Sequence, residues 1–116
     1  MNIKVHYVNH VGWGTDVCRI FDLGEQEFDS TDHALGSMFD QFNNVIENPK
    51  EGELGYYSQK YGIRSMSVGD MVEIDGDTYV CCGMGWTKIK DVDGYRKWFT
   101  SDSHFSVYQE DLVAYV

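Results

Sequence analysis

The chain has 116 residues, 42% of them hydrophobic, and it carries 19 acidic against 9 basic residues, for a net charge of −10. Its 8 Tyr, 6 Phe and 3 Trp exclude a disordered chain, and its length suits one hydrophobic core, so we expect a single domain over residues 1–116. No apolar run reaches the roughly 20 residues that cross a bilayer, and the alternating N-terminus does not resemble a signal peptide.

The N-terminal residues predict a β-hairpin. Ile3, Val5 and Tyr7 alternate with Lys4, His6 and Val8, which is the period of a strand with one buried face. The chain then turns through residues 12–16 and enters a second apolar run over residues 17–21. We therefore expect the first two strands to pair with each other.

One amphipathic helix is predicted after this hairpin. Ser30 or Thr31 is the expected N-cap, and Asp32 falls in the first turn, where an acidic side chain is favoured. The helix should end before Asn48-Pro49, and residues 48–63 then form a loop of about 15 residues. The apolar positions that recur at intervals of three and four are Leu35, Met38, Phe39, Phe42, Val45 and Ile46.

Residues 71–82 predict a second hairpin, for which two registers compete. A type II′ turn at Gly76-Asp77 would set Ile74 opposite Tyr79, whereas a type I′ turn at Asp75-Gly76 would set Ile74 opposite Asp77. Asp-Gly is the stronger turn signal, but the first register buries a continuous apolar row. We favour the first register for that reason.

A second Asp-Gly pair, Asp93-Gly94, predicts a third hairpin between residues 86–92 and 95–100. Residues 112–116 are apolar and predict a last strand. The predicted fold class is α+β, a curled antiparallel sheet of about six strands with one amphipathic helix packed on it.

Residues typical of catalysis or metal binding do not form a recognisable site. His6 and His10 are four residues apart, but along a strand that spacing separates them by roughly 13 Å. Cys81 and Cys82 are strand neighbours that point to opposite faces, and with Cys18 they make an odd set, which favours a reducing cytoplasm over disulfides. We predict no enzymatic activity, no cofactor and no metal.

Charge and exposed aromatics favour protein binding instead. Ten acidic residues lie between residues 16 and 53 against only Arg19 and Lys50, which predicts a negative surface that repels nucleic acids and attracts basic proteins. Trp13 lies in a glycine-flanked turn, and a tyrosine pair lies in the long loop, where aromatics can anchor an interface. The alternatives are that the acids only keep a small protein soluble and that these aromatics fold back to cover the core. The predicted partner-binding residues are Trp13, Asp16, Asp22, Glu25, Glu27, Asp29, Asp32, Glu51, Glu53, Tyr56 and Tyr57.

The most distinctive segment is residues 64–86. It begins Arg64-Ser-Met-Ser-Val-Gly-Asp70, continues through a hairpin around Asp75-Gly76 and ends at Gly85-Trp86. This pattern resembles YodL-like domains and small stand-alone proteins of phages and conjugative elements. The resemblance covers about 23 residues and implies a genetic setting, an accessory protein of a mobile element, without implying catalytic residues.

Three functions follow as hypotheses. The first is an accessory protein, a monomer or homodimer in the host cytoplasm, that binds and modulates a basic host protein as an anti-defence inhibitor mimicking nucleic acid. The second is a structural or assembly module that self-associates through strand edges and aromatic turns. The third is a small metabolite-binding protein or enzyme that uses the cleft between helix and sheet, which a deep polar pocket uniting His6, Cys81 or Arg64 would support.

Overall fold

The computed structural model describes residues 1–8, 19–43, 60, 65–101 and 106–116. Its described strands form one antiparallel sheet in the order β2-β1-β3-β4-β5. The elements are β1 (Asn2–Tyr7), β2 (Arg19–Glu25), α1 (Thr31–Gln41), β3 (Met71–Ile74), β4 (Asp77–Cys82), β5 (Gly85–Ile89), α2 (Val92–Ser101) and a 3-10 helix (Gln109–Leu112). The α+β class is confirmed, but the described ranges contain five strands where about six were predicted, and two α-helices where one was predicted.

Each face of the sheet carries its own hydrophobic core, because successive strand side chains point to opposite faces. Helix α1 covers one face and α2 covers the other, so the sheet is the middle of three layers. The core of the α1 face contains Ile3, Val5, Tyr7, Phe21, Ala34, Leu35, Met38, Phe42, Met66, Val72 and Ile74. The core of the α2 face contains Val8, Met71, Val80, Cys82, Ile89, Tyr95, Phe99, Val107 and Leu112.

The N-terminal hairpin is confirmed in its pairing. Strand β1 pairs antiparallel with β2 on one side and with β3 on the other, with an irregularity between Ile3 and Lys4. Strand β2 continues to Glu25, four residues beyond the predicted end. The predicted turn at residues 12–16 lies outside the described residues, as does the predicted loop over 48–63 apart from Lys60.

Helix α1 begins as predicted. The Ser30 side chain accepts a hydrogen bond from the backbone N–H of His33 at 3.1 Å, which confirms Ser30 as the N-cap. The helix ends at Gln41 with Phe42 as its C-cap, which is earlier than the predicted end. Phe39, predicted to belong to the buried stripe, is 38% exposed instead, and residues 44–50 lie outside the described part of the chain.

The favoured register of the β3–β4 hairpin is wrong. Ile74 lies opposite Asp77 and Val72 lies opposite Tyr79. Asp75 and Gly76 both adopt positive φ, 50° and 88°, as a type I′ turn requires. The argument from the apolar row failed because β1 supplies the missing neighbour: Ile74 pairs with Ile3 on its other side.

The hairpin predicted around Asp93-Gly94 is also wrong, since these residues form the first turn of α2. The Asp91 carboxylate accepts a hydrogen bond from the Gly94 N–H at 2.9 Å, and the Asp91 carbonyl accepts one from the Tyr95 N–H at 3.1 Å. Asp91 is therefore the N-cap. A Cβ built on Gly94 would overlap this carboxylate, so glycine serves the cap here and not a hairpin turn.

The predicted C-terminal strand over residues 112–116 is absent from the described chain. A 3-10 turn forms instead, in which the Asp111 carboxylate accepts a hydrogen bond from the Tyr108 N–H at 2.9 Å. Leu112 is fully buried in the core of the α2 face. The Tyr115 carbonyl accepts hydrogen bonds from the N–H groups of Lys90 and Asp91, at 2.7 and 3.0 Å, so the segment docks against the start of α2.

No helix among the described residues combines the length and apolar character that crossing a membrane requires.

Candidate functional site

Five of the predicted partner-binding acids lie close together along the chain. Asp22 and Glu25 belong to the edge strand β2, Glu27 and Asp29 to the connection that follows, and Asp32 to the first turn of α1. All five are exposed. We call residues 22–32 the acidic segment.

The lysine and arginine side chains that the structure describes do not neutralise the acidic segment. Glu25 pairs with the N-terminal amine at 2.9 Å, and Asp29 lies 3.8 Å from the ring of His33. Among the described residues, no lysine or arginine forms an ion pair with any of its five carboxylates. Lys88, which would have weakened the acidic prediction by pairing there, contacts Asp77 at 3.3 Å.

The other predicted partner-binding residues lie outside the described part of the chain. They are Trp13, Asp16, Glu51, Glu53, Tyr56 and Tyr57.

A cleft of about 290 Å³ opens between α1 and the β4–β5 hairpin. Its helical wall includes Gly36, Phe39 and Asp40, and its sheet wall includes Trp86. Among the described residues of the lining, Asp40 is the only charged one, and Phe39 is one of the few large apolar side chains of the described chain that are exposed. The described residues that line the cleft are Gly36, Phe39, Asp40, Cys81, Cys82, Gly85 and Trp86. The sequence predicted a cleft between helix and sheet with Cys81 in it, but not the other lining residues, because they come from segments about 40 residues apart.

The two cysteines of the cleft are poor nucleophiles. Both are free thiols and buried. Burial, with a smaller contribution from Asp70, raises the pKa of Cys81 to about 12, and burial also raises the pKa of Cys82. The Cys82 thiol donates to Thr87 Oγ1 at 3.4 Å. Near neutral pH both remain protonated, so they act as small apolar groups.

The polar pocket that would have supported a metabolite site does not form from His6 and Cys81. His6 lies opposite Met71, on the α2 face, whereas Cys81 lies between Val80 and Cys82, which both point to that face. Cys81 therefore points to the α1 face. Arg64, the third residue named for this pocket, lies outside the described residues.

His6 joins a buried polar group of its own. Arg96 Nη2 donates to His6 Nδ1 at 2.6 Å, and His6 Nε2 lies 3.8 Å from the Glu73 carboxylate without a hydrogen bond. Burial and, next, the Arg96 charge lower the pKa of His6, while Glu73 opposes them. This histidine is a neutral acceptor for Arg96 near neutral pH.

The Ser67-Val68-Gly69-Asp70 motif builds the entry to β3. The buried Asp70 carboxylate accepts hydrogen bonds from the N–H groups of Ser67, at 2.8 Å, and Val8, at 3.0 Å. Gly69 has φ of 101°, and its carbonyl accepts a hydrogen bond from the Tyr95 hydroxyl at 2.5 Å. These contacts give the motif an architectural role.

Comparisons with known proteins assign no family: no protein-family model, no curated protein and no solved structure matches the chain. Within the described ranges, no three or more His, Cys, Asp and Glu side chains are grouped so that they could hold a metal ion.

Proposed function

We propose that this chain is a small accessory protein of a phage or another mobile element that binds a basic surface of a host protein in the host cytoplasm. The acidic segment makes the contact. The observation that carries the proposal is that all five of its carboxylates are exposed and that no described lysine or arginine is paired with them. The mobile-element setting comes from the resemblance of residues 64–86 to YodL-like domains.

The energetics favour a partner with several positive charges. An isolated exposed ion pair contributes only about 0.2–1 kcal/mol, so binding needs several such pairs acting together. Five carboxylates within eleven residues provide them, and their summed field also accelerates encounter with a basic surface. A groove that normally holds phosphates offers the several positive charges that these carboxylates need, and occupying it would inhibit the host protein.

Paired charge variants test this proposal. Glu27→Gln with Asp29→Asn removes two charges from the acidic segment, and the matched control Asp93→Asn with Glu110→Gln removes two exposed charges elsewhere. A nine-residue lysine peptide is titrated against each by calorimetry at low and high salt. At about 0.5 kcal/mol per lost pair, the first variant should bind about fivefold more weakly, with little change in the control.

Equal weakening in both variants would show that only the net charge matters and would overturn the assignment to this segment. Binding that does not weaken with salt would contradict an interface of screened, exposed charges. The same variants then serve against a host partner captured from lysate, where the rank order should be the same.

A second candidate function, self-association, rests on the open edge of the sheet. The described strands leave the outer edge of β2 unpaired, whereas the C-terminal segment lies beside β5. An unpaired edge can add a strand from another chain. A stable dimer in light scattering that dissociates on Ile20→Lys, a change at a 52% exposed position of β2, would favour this function.

A further inference from the structure

The cleft between α1 and the β4–β5 hairpin has a chemistry that selects its occupant. Aromatic, cysteine and glycine residues line it, and Asp40 is the only charged residue among the described lining. A phosphate or carboxylate would be repelled by Asp40 and would find no cation among these described residues. A purely apolar group would desolvate the Asp40 carboxylate without giving it a partner. The occupant that satisfies both parts of the lining has an apolar stem and a positive end.

Its size is enough for one long side chain and small for a drug-sized molecule. Clefts for drug-sized molecules measure roughly 300–1,000 Å³, and this one, at about 290 Å³, lies just below that range. The helical wall is open as well, because a Cβ built on Gly36 would meet no atom within 4 Å. Nothing among the described residues pairs with the Asp40 side chain, which leaves its carboxylate available.

The cleft shares helix α1 with Asp32, the last residue of the acidic segment. Asp32, Gly36 and Asp40 follow at intervals of four and lie along one side of α1. At 1.5 Å per residue, the rise from Asp32 to Asp40 is about 12 Å. A basic partner held by the acidic segment therefore has the cleft within reach of a neighbouring side chain.

We propose that the cleft receives one arginine side chain of the basic partner, with its guanidinium on Asp40 and its plane against the aromatic side chains of Trp86 and Phe39. Arginine fits better than lysine because its planar fork can make two hydrogen bonds to one carboxylate and stacks on aromatic rings. This inference deepens the proposed function and rests on it for the partner, although its own test is separate.

Three nine-residue peptides test the inference: eight lysines around a central arginine, lysine or citrulline. The arginine and lysine peptides carry the same charge, so their difference reports the cleft and not the net field. We expect the arginine peptide to bind about fivefold more tightly than the lysine peptide and more tightly still than the citrulline peptide. Amide and indole NMR signals of Gly36, Asp40 and Trp86 should move with the arginine peptide.

Two variants place this preference in the cleft. Gly36→Leu fills it from the helical wall, where a side chain has space, and Asp40→Asn removes its charge. Both should abolish the arginine preference while leaving lysine-peptide binding within about twofold, since the acidic segment is intact. Asp93→Asn, which removes an exposed charge on α2, should retain the preference.

Equal binding of all three peptides to the unmodified protein overturns the inference, and so does a preference that survives Gly36→Leu. Equal binding of the arginine and citrulline peptides would identify an apolar site without charge selectivity, which also overturns it. If Glu27→Gln with Asp29→Asn leaves every affinity unchanged while the arginine preference persists, the proposed function fails and the arginine cleft stands.

Discussion

The two faces of the sheet are packed to different extents. On the α2 face, the rings of Tyr95, Trp98 and Phe99 lie 5.9–6.4 Å apart, and Gly69 fits against Phe99 with no room for a Cβ. On the α1 face, a cleft opens beside Asp40, and Gly36 faces free space. One helix therefore closes over its core, while the other leaves a cleft open beside it.

The largest effect we expect comes from a matched pair of glycine substitutions. Gly69→Ala places a Cβ where φ is 101° and where the buried Phe99 ring lies, so backbone strain and overpacking should lower the free energy of unfolding by about 2–4 kcal/mol. Gly36→Ala, inside helix α1 and in open space, should raise it by about 1 kcal/mol. Urea unfolding midpoints measure both changes.

Similar midpoints for the two alanine variants would remove the contrast between the faces. A Gly36→Ala variant with a much lower free energy of unfolding would mean that the helical wall of the cleft has no space for a side chain. The cleft would then be closed to an arginine side chain, which would contradict the arginine proposal.

A smaller effect should come from the start of α2. Asp91→Ala removes the side-chain acceptor for the Gly94 N–H and should lower the free energy of unfolding by about 1 kcal/mol. Asp93→Ala is the control, because Asp93 is exposed in the same turn and no described residue bonds to its side chain. Unfolding followed by circular dichroism compares them, and equal losses would argue against Asp91 as the cap.

The smallest effect we expect is a pH dependence of stability that comes from His6, on the α2 face. The pKa of His6 is lowered in the folded protein from its usual 6.5, by burial and by Arg96, against the opposing charge of Glu73. Below pH 6.5 the unfolded chain therefore binds a proton that the folded chain does not. The free energy of unfolding decreases as the pH is lowered from 6.5 to the lowered pKa of the folded protein. Above pH 6.5 this contribution is fully present.

His6→Gln keeps an acceptor for Arg96 but does not titrate, so the loss of stability between pH 7.5 and 5.5 should be smaller in this variant than in the unmodified protein. Denaturant titrations at the two pH values give the difference. Identical pH dependence in both proteins would show that other groups account for it.

The two Asp-Gly pairs show where sequence reasoning succeeds and where it stops. Both lie in a predicted hairpin, and only the hairpin of residues 71–82 forms, with its turn at Asp75-Gly76 and not at the favoured Gly76-Asp77. Around Asp93-Gly94, Asp91 offers a cap, and Val92, Tyr95 and Phe99 recur at helical spacing toward one core. The local preference of Asp-Gly for a turn contributes less free energy than the burial of Tyr95 and Phe99, so the helix forms.

The candidate site was predictable only in its charge. Exposure of Asp22, Glu25, Glu27, Asp29 and Asp32 follows from the cost of burying an unpaired carboxylate, which holds in any fold. A cleft between helix and sheet was predicted, but most of its lining was not, because Gly36 and Trp86 become neighbours only when α1 crosses the β4–β5 hairpin.

Periodicity and side-chain chemistry within a few residues were enough to predict the α+β class, the N-terminal hairpin, a helix cap at Ser30 or Thr31 and the acidic segment. The β3–β4 register, the second helix, the docked C-terminal turn and the cleft depend on which surfaces meet across long stretches of chain. At α2 a local turn preference of about 1 kcal/mol yields to the burial of aromatic side chains, whereas the β3–β4 hairpin keeps its local Asp-Gly turn because β1 supplies an apolar neighbour for Ile74.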